Sequence, residues 1–406
     1  MISVAEAIRI VLEQTERLPA EAVALAHSRG RVLAEDITAD TDLPPFDRAL
    51  MDGYALRAAD TTEASREVPV RLRIAGEAAA GSGWRGKLRA GEAVRIMTGA
   101  PVPAGADSVQ QVEVTREIEA GARVEIERAT QPGQFITKRA TESKRGEIVL
   151  RAGEMLSAAS MAALASFGYA RVPVGARPRA IVLATGTELV AVDEQPGPDQ
   201  IRDSNSYSLL AYAEAAGAQV EHLPFAADDE KLLQRVIDES AERADLLILS
   251  GGVSMGIYDF TKTALRALGA EIFFERVGLR PGKPTVFAKI GRTLVFGLPG
   301  NPVSVSVTFN LFARTAIRAM QGARHTALVE EQAVLARGVK GAPERASYLP
   351  AQLRTDDTGR LIAEPLRWGG SSDFVAFTRA EALVIVPAGA GAIEADAIVR
   401  VVRLPA

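Results

Sequence analysis

The stretch Asp245-Leu246-Leu247-Ile248-Leu249-Ser250-Gly251-Gly252-Val253-Ser254-Met255-Gly256 decides the fold. An apolar run this short and unbroken predicts a strand buried on both faces, the glycines predict a loop of bare backbone, and helical periodicity restarting at Asp259 predicts a helix. The same grammar recurs at Thr293-Leu294-Val295-Phe296, which runs into Gly297-Leu298-Pro299-Gly300-Asn301-Pro302 and a helix reaching Met320. Asn301 suits the N-cap and Pro302 the first helical position. Earlier, Ala180-Ile181-Val182-Leu183 leads into Thr185-Gly186-Thr187-Glu188. Such strands alternating with helices predict a parallel-rich sheet covered on both faces, with ligands beyond the carboxyl ends of the strands. Glycines there let backbone N–H groups and helix N-termini approach an anion.

Outside this α/β region the chain changes character. From Val68 to about Thr137, short runs such as Val70–Ile74 and Arg123–Ile126 alternate with Gly, Pro and Ala turns and predict a small, separate β domain. The last eighty or so residues, with Tyr348–Leu353, Leu361–Ala363 and Ala382–Val386, predict a second one. At the N-terminus, Ser3 and Glu6 form a capping-box pair for a helix from about Val4 to Glu16. Its face of Ile8, Val11 and Leu12 has no obvious partner within the chain, and neither has the rigid Leu43-Pro44-Pro45-Phe46 segment. Exposed apolar faces of that kind predict a homodimer.

Composition removes several chemistries. The 406 residues carry a formal charge of -4, which argues against an electrostatic nucleic-acid binder. There is no cysteine, and the three histidines, His27, His222 and His325, stand alone in their segments. Thiolate chemistry is excluded, and any metal should be a hard cation held by oxygen. Glu6, Arg9 and Glu13 interrupt the N-terminal apolar pattern, and no apolar run is long enough to span a bilayer. A cytoplasmic protein is expected.

Glu188, Asp203, Asp228 and Asp259 fall around the predicted loops. Each alone reads as a helix cap; together they read as a Mg²⁺ site, since Mg²⁺ takes one or two carboxylates plus phosphate oxygens. The basic counterpart is Arg276 with Gly278-Leu279-Arg280-Pro281-Gly282-Lys283-Pro284, either an anion-binding turn or a solvated one. It is not a P-loop: the spacing is one residue short, and Pro284 stands where the Mg²⁺-binding hydroxyl belongs. Gly252-Val253-Ser254-Met255-Gly256 also fits the nucleophile elbow of serine hydrolases. That reading needs a later histidine, and only His325 follows, just after the final helix of the domain.

Leu43–Phe46 with Met51–Ala55, Arg95–Ala100, Thr185–Leu189, Asp203–Asn205, Ser250–Ser254, Pro281–Pro284 and Gly297–Ser304 together resemble the molybdopterin molybdenumtransferase family, which includes the gephyrin E domain. The resemblance covers essentially the whole chain, in order. It implies an elongated, discontinuous N-terminal dimerisation domain (1–50 with 141–176), an inserted β domain (51–140), a three-layer molybdopterin-binding α/β domain (177–326) and a C-terminal β-barrel (327–406). It further implies transfer of molybdenum from molybdate to adenylylated molybdopterin with release of AMP and Mg²⁺ assistance. The implied assembly is a homodimer with a composite active site, and a molybdopterin adenylyltransferase is the implied partner.

By position in these motifs, the resemblance makes Asp52, Glu188, Asp228, Asp259, Arg276 and Arg280 catalytic, with Glu188, Asp228 and Asp259 as metal ligands. Thr98, Gly251, Gly252, Ser254, Lys283, Pro299, Gly300, Asn301, Pro302, Ser304, Arg345 and Ser371 are the expected substrate-binding residues. Thr187 and Ile257 stand where the family usually has acidic or polar residues, and Ala380-Glu381-Ala382 replaces its Ala-Asn-Gly. Fewer carboxylates would weaken Mg²⁺ binding or mark a non-catalytic pterin-binding scaffold, the rival reading from another class.

Overall fold

Leu246–Ser250 is a strand with all five residues buried, near the middle of a six-stranded sheet. The structure, a computed structural model, describes residues 1–226, 229–252 and 260–405. The sheet order is Gln219–His222, Arg179–Ala184, Leu246–Ser250, Thr293–Leu298, Val286–Ile290 and Glu271–Phe274. The three pairings among the first four strands are parallel, and the two beyond them are antiparallel.

Alternate side chains of these strands feed two separate cores, which is why the strands read as unbroken apolar runs. Val182, Ile248 and Phe296 face the long helix that starts at Pro302, while Ile181, Leu247 and Val295 pack under the helices Glu230–Ala241 and Phe260–Ala267. The long helix consists of Pro302–Thr308, a π turn over Phe309–Ala313, and Arg314–Met320. Asp229 caps Glu230–Ala241 by accepting from the Leu232 N–H at 2.7 Å, so the cap considered for Asp228 belongs to its neighbour.

The N-terminal helix spans Val4–Gln14, shorter than expected, with the predicted Ser3 cap in place. Its face corrects the prediction at Leu12, which is exposed, while Val4, Ala7 and the expected Val11 are buried in the same core as Phe309, Phe312 and Ile317. Ala7, too small to have signalled a face by itself, permits the close approach. The helix therefore has its partner within the chain, and its apolar face is no argument for a dimer.

Beyond the sheet, Ala346–Thr355, Leu361–Pro365, Glu330–Leu335, Ile398–Arg403 and Ala382–Val386 close into a five-stranded barrel, the first strand also pairing with the last. Leu335, Ala351, Val384 and Val401 fill it. The short strand Leu279–Arg280 joins the edge of this barrel by parallel pairing with Ala346–Ser347. These elements belong to one compact unit, residues 1–35, 152–161 and 171–406.

The second unit, residues 36–151 and 162–170, is built on a six-stranded sheet. Its order is Ser108–Gln111, Gly53–Leu56, Glu92–Ile96, Val70–Ala78, Arg123–Ile126 and Thr115–Ile118, and only the pairing of Val70–Ala78 with Glu92–Ile96 is parallel. Gly53 is demanded by close strand approach, because a Cβ there would lie 1.9 Å from the Gln110 carbonyl oxygen.

Phe287 is the pivot of the larger core, with its ring centroid 4.8 Å from that of Phe296, 5.4 Å from Phe273 and 5.6 Å from Phe274. Phe287→Ala should cost about 3–5 kcal/mol of unfolding free energy in urea denaturation, through lost burial and the cavity left behind. A loss below about 1 kcal/mol would show that this aromatic cluster is not the keystone of the sheet.

Candidate active site

Register assembles the site. Ala184, Ser250 and Leu298 are direct partners at the carboxyl ends of three adjacent parallel strands, so the loops beginning at Thr185, Gly251 and Pro299 leave the sheet side by side. The loops are stitched together: the Thr185 N–H donates to the Ser250 carbonyl at 2.8 Å, and the Gly251 N–H to the Leu298 carbonyl at 3.2 Å. Gly251 and Gly252 have φ of +94° and +62°, the left-handed region that favours glycine. A Cβ would lie 2.2 Å from the Thr185 carbonyl oxygen at Gly251 and 2.6 Å from Thr261 Oγ1 at Gly252. Backbone is thereby kept bare.

A cavity of about 580 Å³ opens over these loops, lined by Glu188, Asp203, Asn205, Gly251, Gly252, Pro299, Gly300, Asn301 and Pro302 among others. Asn205 clamps it, its Nδ2 donating to Ser250 Oγ at 2.9 Å and to the Gly300 carbonyl at 2.8 Å. Thr185 Oγ1 and Asn205 Oδ1, both buried, have no hydrogen-bond partner. Asp203 Oδ1 accepts from the Ser206 N–H at 3.1 Å, as a helix-start residue does, while also lining the cavity. Asn301 occupies the N-cap position of the long helix, but its side chain does not cap; Nδ2 donates instead to Ser371 Oγ at 2.9 Å.

That contact leads into a second cavity of about 900 Å³, which shares Pro284, Pro299 and Asn301 with the first and extends to the barrel. Arg280, Lys283, Ser304, Arg345 and Ser371, all expected from sequence, line it. So do Arg337, Lys340, Arg367 and Trp368, which sequence reasoning missed. Among the described residues, no carboxylate lines this cavity. Among the described residues none of its six cations forms a salt bridge, whereas most arginines of the β domain, such as Arg71, Arg73, Arg95 and Arg116, are paired. A concentration of unpaired cations in a concave site raises the local density of anions.

Arg276 is the exception among the expected cations. It lines a different depression, with Met1, Ile2, Arg266 and Phe273, and neither of the two cavities. The chain changes sheet between Glu271–Phe274 and Leu279–Arg280, and this separates Arg276 from Arg280 despite their helix-like spacing in sequence. Asp228, Ser254, Ile257 and Asp259 lie outside the described residues. Among the described residues, no group of three or more His, Asp or Glu side chains is placed to hold a metal. Glu188 is exposed at the cavity, its carboxylate folded back toward Gly186.

Asp52 and Thr98, in the second unit, are brought together. Asp52 Oδ1 accepts from the Thr98 N–H at 2.6 Å and from Thr98 Oγ1 at 2.9 Å, and these bonds, the backbone one first, hold the Asp52 carboxyl below its ordinary value. Phe46, Leu50, Met51 and Met97, from the neighbouring loops, are exposed large hydrophobics.

The serine-hydrolase reading loses its base. The helix from Pro302 to Met320 separates His325 from the glycine loops by roughly 28 Å at about 1.5 Å per residue.

Comparison with known proteins agrees with this geometry along the whole chain. Residues 2–168 match the family described as MoeA N-terminal region (domain I and II), residues 181–319 the probable molybdopterin binding domain, and residues 332–404 the MoeA C-terminal region (domain IV). The molybdopterin molybdenumtransferase of Bacillus subtilis (strain 168) is 37% identical over 407 residues, covering 99% of this chain and 94% of that one. The chain belongs to the molybdopterin molybdenumtransferase family. Another relative of that name, from Staphylococcus aureus (strain COL), is 33% identical over 99% of this chain and 95% of its own. A solved molybdopterin biosynthesis moeA protein from Pyrococcus horikoshii OT3 superposes with a TM-score of 0.86 at 27% identity, with 100% of both chains covered. The molybdenumtransferase fold, with its α/β domain, inserted β domain and C-terminal barrel, is thus shared throughout.

Two outcomes follow from this geometry. Gly251→Ala should lower the melting temperature by at least a few degrees, because the new Cβ meets the Thr185 carbonyl oxygen and the backbone there is left-handed; an unchanged melting temperature would show that the loop takes up a side chain without strain. Thr98→Val removes one donor, so the Asp52 carboxyl should titrate higher than in the wild type in a ¹³C NMR titration. Since the native pKa is depressed, the stability that Asp52 contributes is present above its ordinary value of 3.8 and is lost as pH falls through the native value. An unchanged Asp52 titration would show that the hydroxyl does not hold the charge.

Proposed function

We propose that the protein inserts molybdenum into adenylylated molybdopterin, taking molybdate as the metal source and releasing AMP. The observation that carries this reading is the pair of contiguous cavities, one floored by bare glycine loops and the other lined, among the described residues, by six cations without a carboxylate. The pyrophosphate and AMP portion suits the glycine loops, where backbone dipoles and the N-terminus of the long helix favour negative charge. Asn205 fixes the spacing between two of those loops.

Molybdate is a tetrahedral dianion, and the dithiolene it must reach is also negative. Their encounter is opposed by like-charge repulsion unless cations are already in place. Arg280, Lys283 and Arg345 supply that charge, and the Ser371 hydroxyl, held by Asn301, supplies a fixed dipole. Arg276 lines neither of these cavities. Preorganised cations cost little reorganisation when the phosphoanhydride opens and charge moves onto AMP.

Among the described residues, the donor set of the glycine-loop cavity, with Glu188, Asp203 and hydroxyls and no sulfur or imidazole, fits a hard cation such as Mg²⁺. Glu188 would hold it together with phosphate oxygens of the substrate, Asp203 being partly engaged in its helix start. When bound, Mg²⁺ neutralises phosphate charge. Asp228 and Asp259 remain the other proposed ligands by resemblance, and Ser254 a proposed substrate contact.

A homodimer, with Asp52 and Thr98 completing the site of a second copy, is part of the same proposal. Its support is the set of exposed apolar side chains Phe46, Leu50, Met51 and Met97 flanking that pair, in place of the N-terminal helix. Sedimentation should find a dimer at micromolar concentration, and a monomer would remove the composite site.

The direct test is AMP release by purified protein supplied with adenylylated molybdopterin, molybdate and Mg²⁺. A non-catalytic scaffold would bind the pterin nucleotide and release none. Lys283→Ala and Arg345→Ala should each raise the molybdate concentration needed for half-maximal release by roughly ten- to a hundredfold, the loss of one charged contact of about 1.5–3 kcal/mol. Unchanged molybdate dependence in both would dismiss the cationic cavity as the oxyanion site.

A further inference from the structure

The cationic cavity holds more than one oxyanion needs. Its barrel side is lined by the apolar residues Leu349, Pro350, Pro365, Leu366 and Trp368, and this wall takes no part in attracting molybdate. Trp368 is half-buried and packs against two cores at once, the large core behind the sheet and the interior of the barrel. Its loop is pinned at several points. The Leu366 N–H donates to the Pro350 carbonyl at 2.8 Å, the Gly369 N–H to Asp373 Oδ2 at 2.7 Å, and the Val303 N–H to the Ser371 carbonyl at 3.0 Å. Asp373 also caps the short helix that follows, accepting from the Ala376 N–H at 3.1 Å. An indole is thus held on rigid supports at the wall of a positively charged cavity.

We propose that this wall is the subsite for the pterin ring of the substrate, with Trp368 as its stacking face; the inference rests on the function proposed above. A flat heteroaromatic ring gains most against a broad, preorganised aromatic surface. The substrate has two such rings, pterin and adenine, and charge decides between them. The dithiolene that receives molybdenum is attached to the pterin, so the pterin must lie where the oxyanion is gathered. The six cations line Trp368's cavity, whereas among the described residues Arg202 alone of the cations lines the glycine-loop cavity. Arg337, whose guanidinium donates to the Pro365 carbonyl, is held at this wall. Trp368 is therefore a substrate-positioning residue supplied by the C-terminal barrel.

The chain has two tryptophans, Trp84 and Trp368, which gives the subsite its own signal. In a Trp84→Phe background, neopterin monophosphate should quench the Trp368 fluorescence saturably, and AMP should not. By calorimetry, Trp368→Ala should weaken neopterin monophosphate binding by about ten- to hundredfold, the range for a lost aromatic stack, while Trp368→Phe retains most of the affinity. AMP affinity should be the same in all three proteins, and this also reports that the variants are folded.

Equal affinity of wild type and Trp368→Ala for neopterin monophosphate would overturn the subsite. So would quenching by AMP alone, which would assign the wall to adenine, or failure of the wild type to bind neopterin monophosphate. In the turnover assay, an unchanged KM for adenylylated molybdopterin in Trp368→Ala would overturn the subsite while leaving the function standing. A wild type that releases no AMP would overturn the function itself.

Discussion

Three parallel strands that end at the same level are the constraint on which the rest depends. Because Ala184, Ser250 and Leu298 are in register, the turns after them must share one small volume, and only residues without side chains fit where they meet. Gly251 and Gly252 follow from that crowding. The bare backbone they leave is the feature that can approach an anion, so the packing constraint and the binding property have one origin. Register in turn is held by the two cores on either face of the sheet, where a one-residue slip would exchange Val182, Ile248 and Phe296 for Ile181, Leu247 and Val295.

On the proposed reading, the loops supply the nucleotide end of the site and the barrel its oxyanion end. Leu279–Arg280 leaves the neighbourhood of the sheet to pair with the barrel, carrying Arg280 and Lys283 to face Arg337, Arg345 and Arg367. The Asn301 to Ser371 hydrogen bond ties the two halves across the opening. Unpaired cations repel one another, and in a protein that pairs so many of its arginines such a cluster costs stability. That cost is the expected mark of a site built for an anionic ligand.

The strands, the glycine loops and the β domains were legible from sequence because each rests on a local signal: unbroken apolar runs, φ-permissive residues, turn composition. Glu188, Lys283 and Pro299 were legible because they sit inside motifs. The errors have physical causes. The face of the N-terminal helix was misjudged because Ala7, and not Leu12, makes its central contact. That Arg276 lies apart from Arg280 is not visible in their spacing, because the chain changes sheet between them. Asn301 suits a side-chain cap by sequence, but Ser371, seventy positions away, competes for its amide. Arg337, Lys340, Arg367 and Trp368 were missed for the same reason: barrel closure brings them together, and no motif contains them.

The central claim is that the glycine-loop cavity and the cationic cavity are two ends of one substrate site. Anomalous diffraction at the molybdenum edge, from crystals soaked with molybdate and AMP, tests it most directly. The account predicts a molybdenum peak among Arg280, Lys283, Arg345 and Ser371, with AMP phosphate over Gly251 and Gly300. A molybdenum peak beside Arg276, or AMP bound away from the glycine loops, would contradict it.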